Sequence, residues 1–251
     1  MRSFADYFST ASDNYRAFRP DYPADFFEYL ATISPSKKKA WDCGCGNGQA
    51  SVALAKHFEC VTATDASEKQ ISQAIQKDNI TYAVSPAEII DAEDHTLDLV
   101  TVAQAIHWFD HDIFFKEVNR VLKPGGVLAA WGYQLLYTDT ELDNVVSHFH
   151  SQVVGPYWPK GRELLDEGYT KINFPYDRLT PPEFFMRKEW EFGHLLGYLN
   201  TWSAVKGYEQ EKKENPVEKY FEELKIAWGD EARHKKIYWP LILYVGQKQL
   251  G

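Results

Sequence analysis

Apolar residues along the chain fall into two periods. Between residues 40 and 131, short apolar or β-branched runs at 40–43, 60–65, 80–85, 97–103 and 126–133 alternate with stretches whose apolar positions recur every three to four residues, at 49–58, 67–77 and 112–122. This alternation predicts parallel strands joined by helical crossovers. The stretch 112–122 aligns Phe115, Val118 and Leu122 on one stripe and stops before Pro124-Gly125-Gly126, a helix stop followed by a turn. Upstream, 22–33 reads as one helix after an aromatic, polar segment from 4 to 20. Downstream, 139–154 has helical spacing, and 155–182 is rich in Gly, Pro and aromatic residues with no clean period. Strand patterns return at 183–192 and 236–248, with helical stretches at 193–205 and 217–228 between them.

No internal repeat or low-complexity linker interrupts the chain, so the pattern predicts one domain over 1–251. Its parts are an N-terminal lid and helix (1–39), a core (40–133), a helical insertion (134–182) and C-terminal strands and helices (183–251). The aromatic residues sharpen this division: residues 40–131 hold eight of the thirty-eight, and the flanks hold thirty. Parallel sheets with close-packed crossovers favour small and β-branched side chains, which accounts for the scarcity in the core. Of the flanking aromatics, Trp190, Tyr238 and Trp239 are expected to pack the last strands, and those of the N-terminal segment and insertion, with Tyr15, Phe18, Tyr133, Tyr157 and Trp202 first, are the place to look for a pocket.

With 251 residues, 44% hydrophobic and 25% charged, the chain is long enough for a sizeable core. A net charge of −9 disfavours nucleic acid and acidic membranes as partners. No run of about 18 apolar residues is present to span a bilayer, and the first residues lack the apolar stretch of a signal peptide. Cys43, Cys45 and Cys60 suit a reduced compartment better than a disulfide framework. A protein dissolved in the cytoplasm is expected.

The first strand runs into Asp42-Cys43-Gly44-Cys45-Gly46-Asn47-Gly48, with a helix following at once. Glycines at the carboxyl end of a strand let the backbone turn tightly and approach a ligand closely. The second strand ends on Asp65, 17 residues after Gly48. A carboxylate there can accept both hydroxyls of an adenosine ribose. The other reading of these residues is a tight turn and a helix-capping Asp.

Asp42-x-Gly44-x-Gly46-x-Gly48, Asp65, Pro86-Ala87-Glu88 and Leu122-Lys123-Pro124-Gly125-Gly126 together resemble the class I S-adenosylmethionine-dependent methyltransferases across residues 40–131. Three shorter stretches, at 15–23 around Tyr15 and Arg19, at 104–109 and at 199–203, are similar to the subgroup containing the trans-aconitate methyltransferases and their bacterial relatives. The resemblance implies an α/β, Rossmann-like sheet of seven mostly parallel strands in the order 3-2-1-4-5-7-6, with helices on both faces, an antiparallel last strand and a helical cap after strand 5. S-adenosyl-L-methionine would be the cofactor, S-adenosyl-L-homocysteine the product, and a small molecule the acceptor.

On the same resemblance, Asp65 would hold the ribose, and Ala66 and Pro86-Ala87 would flank the adenine. Many relatives have Asp where Pro86 stands, so Glu88 or a backbone carbonyl would take the adenine amino group. Asp42, Gly44 and Gly46 would lie along the methionine part, with Asp42 or the carbonyl of Ala103 or Gln104 facing its ammonium. Tyr15 and Arg19 are candidates to close over the cofactor, Arg19 pairing with its carboxylate; the other reading of Arg19 is a solvated surface charge.

His107, just past the fourth strand, is the candidate catalytic residue, able to deprotonate a hydroxyl or hydrogen-bond a carboxylate; otherwise it plugs the sheet edge. Trp108, Tyr133 and Trp202 are candidate walls of an acceptor pocket, or ordinary core aromatics. Arg162, Arg178, Arg187 and Lys206 are candidate cations for an anionic acceptor. Cys43-x-Cys45 has too few neighbouring ligands for a metal and reads as packing. The competing functions are a nicotinamide-dependent oxidoreductase on the same kind of sheet and a non-catalytic cofactor-binding protein.

Overall fold

The computed structural model describes residues 18–250; Tyr15 lies outside them. Its centre is a six-stranded sheet ordered β3-β2-β1-β4-β5-β8. The strands are β1 (Lys39–Cys43), β2 (Cys60–Asp65), β3 (Ile80–Val84), β4 (Leu97–Ala103), β5 (Leu122–Gly132) and β8 (Ile242–Gln247). The first five pair in parallel and β8 runs antiparallel to β5. The central strands are buried on both faces, as a covered parallel sheet requires.

Alternation along β5 divides the core. Val127, Ala129 and Trp131 meet Phe26, Phe27 and Leu30 of the helix Ala24–Ile33. Leu128 and Ala130 face the helix His111–Val121 through Phe114 and Val118 on the other side. A third apolar cluster, built on Trp190, Tyr198, Trp202, Trp228 and Trp239, belongs to the chain after residue 132.

The predicted β5 begins late. The ladder with β4 jumps from Leu97–Leu122 to Leu99–Val127, so Lys123-Pro124-Gly125-Gly126 bulges out, with Gly125 at φ 76°. The bulge carries Lys123 to Asp98, whose carboxylate is fully buried and lies 2.5 Å from the Lys123 ammonium.

The seven-stranded sheet is corrected by the structure. The segment expected to be the sixth strand, β6 (Phe185–Trp190), pairs antiparallel with β7 (Lys235–Pro240) in a separate two-stranded ladder. Met186 and Trp190 are buried on one face of β6, whereas Arg187 and Glu189 are exposed on the other. A strand with a charged face suits a half-solvated antiparallel ladder and would not survive between covered parallel strands. The last strand pattern, read as one run over 236–248, is two strands separated at Pro240-Leu241, so β7 and β8 serve different sheets.

The helix predicted over 193–205 is also divided, into Phe192–Asn200 and Ser203–Lys212. The break at Thr201-Trp202 leaves the Thr201 carbonyl facing Arg19. In the insertion, the helix Thr140–His148 continues into a π-turn over Phe149–Val153, a local widening that recurs at functional sites. No helix among the described residues is long and apolar enough to cross a membrane.

Candidate active site

The glycine loop is held by the strand beside it. The amides of Gly44 and Cys45 both donate to the Thr64 carbonyl of β2, at 2.8 and 3.0 Å. Gly48 has φ 86°, and a Cβ there would come within 2.2 Å of the Tyr82 hydroxyl; its glycine is dictated by backbone and space together. At Gly46 (φ 55°) a Cβ would meet only the Gln70 side chain, in ordinary contact at 3.9 Å. The loop is therefore packed tightly at its ends and less so at its middle.

Asp65 is oriented from two sides: one carboxylate oxygen accepts from the Gly46 amide at 2.8 Å and the other from the Ser67 amide at 2.9 Å. The strand end and the glycine loop are thus fastened together. Ala66 is exposed beside it, and Pro86-Ala87-Glu88 follow β3 on the neighbouring side. The Glu88 carboxylate accepts from the Asp110 amide at 3.0 Å, joining the loops after β3 and β4.

Asp42 goes elsewhere. Its carboxylate is fully buried in the sheet, accepting from the Ser51 hydroxyl at 2.6 Å and the Thr101 hydroxyl at 3.0 Å. Burial raises its pKa to about 6, against the lowering effect of those two hydroxyls, with the Asp65 charge raising it further. On this geometry Asp42 binds β1 to β4 and to the helix Gln49–Leu54. Cys43 and Cys45 are buried thiols whose pKa burial pushes up, and among the described residues no cluster of His, Cys, Asp or Glu is arranged to hold a metal.

Beyond the ends of β4 and β5, Arg19, Gln104, Tyr133, Gln134, His150, Trp158, Arg162, Tyr198 and Trp202 surround a small cleft with Leu135. Of the residues singled out in the sequence, Arg19, Gln104, Tyr133, Trp202 and Arg162 converge here. Arg19 donates to the Tyr133 hydroxyl at 3.0 Å and the Thr201 carbonyl at 3.4 Å, and lies over the Tyr198 ring. Gln104, in the left-handed region at φ 54°, donates from its side chain to the Tyr133 carbonyl at 3.1 Å. Trp158 packs against Trp202 with centroids 5.5 Å apart and donates to the His150 carbonyl.

His107 and Trp108 are not among the lining residues. The His107 ring is buried beside Tyr169, whose hydroxyl lies 3.4 Å from Nδ1. Burial, then the nearby Arg162 and His111 charges, push its pKa down to about 3, so it is a neutral imidazole at physiological pH. Arg178 reaches the Leu243 carbonyl, Arg187 lies over Phe185 and Lys206 pairs with Glu209. Of those four cations Arg162 reaches the cleft. His150, Trp158, Gln134 and Tyr198 were not anticipated; of these Trp158 alone lies in the aromatic-rich run without a period.

A glycine loop after β1, an acidic residue ending β2 and a cleft over the carboxyl ends of β4 and β5 define a doubly wound α/β protein of the nucleoside-cofactor class. A family model described as a methyltransferase domain matches residues 41–130. A protein of Dictyostelium discoideum assigned as a methyltransferase is 33% identical over 209 residues, covering 82% of this chain and 80% of its own. An uncharacterized methyltransferase of Schizosaccharomyces pombe is 32% identical over 221 residues, with 82% of each chain covered. Among solved structures, one from Anaeromyxobacter dehalogenans described as a type II methyltransferase superposes with a TM-score of 0.87 at 38% identity, covering 93% of this chain and all of its own. The chain belongs to the class I S-adenosylmethionine-dependent methyltransferases, and S-adenosylmethionine is its methyl donor. Family membership also decides against the nicotinamide-dependent alternative.

Proposed function

We infer that the protein transfers the methyl group to a small molecule carrying a carboxylate, bound in the cleft beyond β4 and β5. The observation that carries this reading is the cleft itself, where the guanidinium groups of Arg19 and Arg162 lie among the rings of Tyr133, Trp158, Tyr198 and Trp202. Aromatic rings with converging cations and side-chain amides suit a small organic anion, and the net charge of −9 is no bar, because exposed charges are screened within about 8 Å at physiological salt.

The residues around the glycine loop fit the donor. Asp65, preset by two amides, is the ribose acceptor, and the loop backbone at Gly44 and Gly46 borders the methionine part. Ala66 and Pro86-Ala87 border the adenine, with Glu88 beside them; because the Glu88 carboxylate already accepts from Asp110, a backbone carbonyl is the better partner for the adenine amino group. The carbonyls of Ala103 and Gln104 are left to meet the ammonium, since Asp42 is enclosed in the sheet. Tyr15 remains a candidate to cover this site. Arg19 is better matched to the acceptor side, where it lines the cleft.

S-adenosylmethionine supplies a sulfonium-activated methyl group whose leaving group needs no acid. The protein's contribution is then to hold the acceptor in line and to exclude water. A carboxylate is already an anion at neutral pH and needs no base, which agrees with a His107 that is weakly basic and turned towards Tyr169. His107 is better read as support for the wall around Arg162. The test is chemical. With methyl-labelled donor and a mixture of small organic acids, the labelled product should release methanol in mild base, as a methyl ester does. Base-stable label would exclude a carboxylate as the reacting group.

A further inference from the structure

The two guanidinium groups of the cleft differ in their partners. Arg19 has both terminal nitrogens directed at protein oxygens. Arg162 uses its Nε on Asp166 at 3.3 Å and stacks on Trp158, its Cζ 4.4 Å from the ring centroid. Its side chain is 19% exposed, and neither terminal nitrogen is among the buried, partnerless side-chain atoms of the described residues, so the fork is not sealed off by the protein. A planar guanidinium fork on a cleft wall matches a carboxylate in shape and charge.

An unsatisfied group lines the same cleft. The His150 Nε2 atom is buried and has no hydrogen-bond partner, and its ring packs against Trp158 and, edge to face, against Trp202. Burial and the Arg162 charge hold the imidazole neutral, with a pKa near 4 despite the opposing Asp166 charge. Each group is fixed in place. The π-turn presents His150, while Gln134 donates to the carbonyls of Leu165 and Asp166 and so anchors the helix following Arg162 to the end of β5. Gly161, at φ 97°, lets this segment sit against the His107 carbonyl, where a Cβ would come within 2.9 Å.

We propose that Arg162 and His150 form the anion subsite of the cleft, Arg162 receiving the acceptor's carboxylate while Trp158, Trp202 and Tyr133 receive a flat, unsaturated body. This rests on the reading that the acceptor is a small carboxylate and adds which residues select it. Planar molecules stack on such walls better than saturated chains of equal size, so the subsite discriminates by charge at one end and by shape along its length.

Benzoate and its neutral counterpart benzamide are suitable probes, titrated by ligand-observed NMR into protein saturated with S-adenosylhomocysteine. Wild type should prefer benzoate by at least about tenfold, and Arg162→Met should lose roughly 10- to 100-fold in benzoate affinity with benzamide unchanged. Arg162→Lys should recover part of the loss, keeping the charge without the fork, and His150→Phe should show a smaller loss. Calorimetry with S-adenosylhomocysteine reports whether each variant is folded. Benzoate binding retained by a folded Arg162→Met variant overturns the subsite while leaving the carboxylate reading intact. Failure of wild type to distinguish benzoate from benzamide contradicts both.

Discussion

Asp65→Ala is expected to weaken S-adenosylhomocysteine binding by at least tenfold, measured by calorimetric titration on protein shown to be folded. The side chain combines two tasks. Its oxygens accept from the Gly46 and Ser67 amides, and on the proposed binding mode they also receive the ribose hydroxyls. Hydrogen bonds to a charged group contribute about 1.5–3 kcal/mol each, so losing even one predicts a tenfold effect. Asp65→Asn should fall between the two, retaining shape while losing charge and one acceptor. An unchanged affinity in Asp65→Ala would remove the ribose assignment.

The largest effect on stability is expected at a residue far from the chemistry. Asp98→Ala should destabilise the fold by about 2–4 kcal/mol in urea unfolding at neutral pH, towards the lower part of the range for breaking a buried ion pair, because Lys123 retains some access to water. The Asp98 carboxylate accepts from the Ser36 hydroxyl at 2.7 Å, the Lys38 and Lys39 amides at 3.0 and 2.9 Å, and the Lys123 ammonium at 2.5 Å. It therefore joins the entry to β1, the start of β4 and the bulge of β5, and its removal leaves two inward amides unpaired.

Burial alone would raise the Asp98 pKa; the Lys123 ammonium, the Lys39 amide and the Ser36 hydroxyl outweigh it and hold the group below the usual carboxylate range. A depressed native pKa means the unfolded chain binds the proton first, so stability rises with pH in that window. The Asp98 contribution should be complete above about pH 4–5 and fade as pH falls through the native value. Asp98→Ala should accordingly lose less stability on acidification than wild type does. A difference below 1 kcal/mol at neutral pH would show that the anchor is redundant.

The parallel core was legible because its information is local. Short apolar runs, a helical stripe over Phe115 and Val118, and glycines after β1 each act through near neighbours, and Asp65 was placed by the end of its strand. Errors arose where tertiary partners decided the outcome. β6 has a strand's alternation, yet nothing in that alternation says that its charged face keeps it out of the main sheet; Pro240 marks the division of β7 from β8 only once their partners are known. The helix expected over 67–77 ends at Ser72, and the Ile75 amide turns instead to the Asn47 carbonyl beside the glycine loop.

The site shows the same division. Arg19 and Tyr133 meet across 114 positions and Arg19 and Thr201 across 182, distances over which no sequence period operates. His107 looked catalytic because it follows β4, but the chain turns its ring towards Tyr169. His150 was hidden because a π-turn breaks the helical spacing that would have shown its face. The rings around the cleft, Tyr133, Trp158, Tyr198 and Trp202, all come from the aromatic flanks.

The central claim is methyl transfer from S-adenosylmethionine to a small anionic acceptor. Its most direct test is mass spectrometry of a cell extract, separated by size into metabolites and macromolecules and incubated with protein and donor carrying an isotopically labelled methyl group. The account predicts a labelled anionic product in the metabolite fraction, formed more slowly by Arg162→Met at the same donor saturation. Label confined to protein or nucleic acid, or the absence of any labelled product when the cofactor is bound, would contradict it.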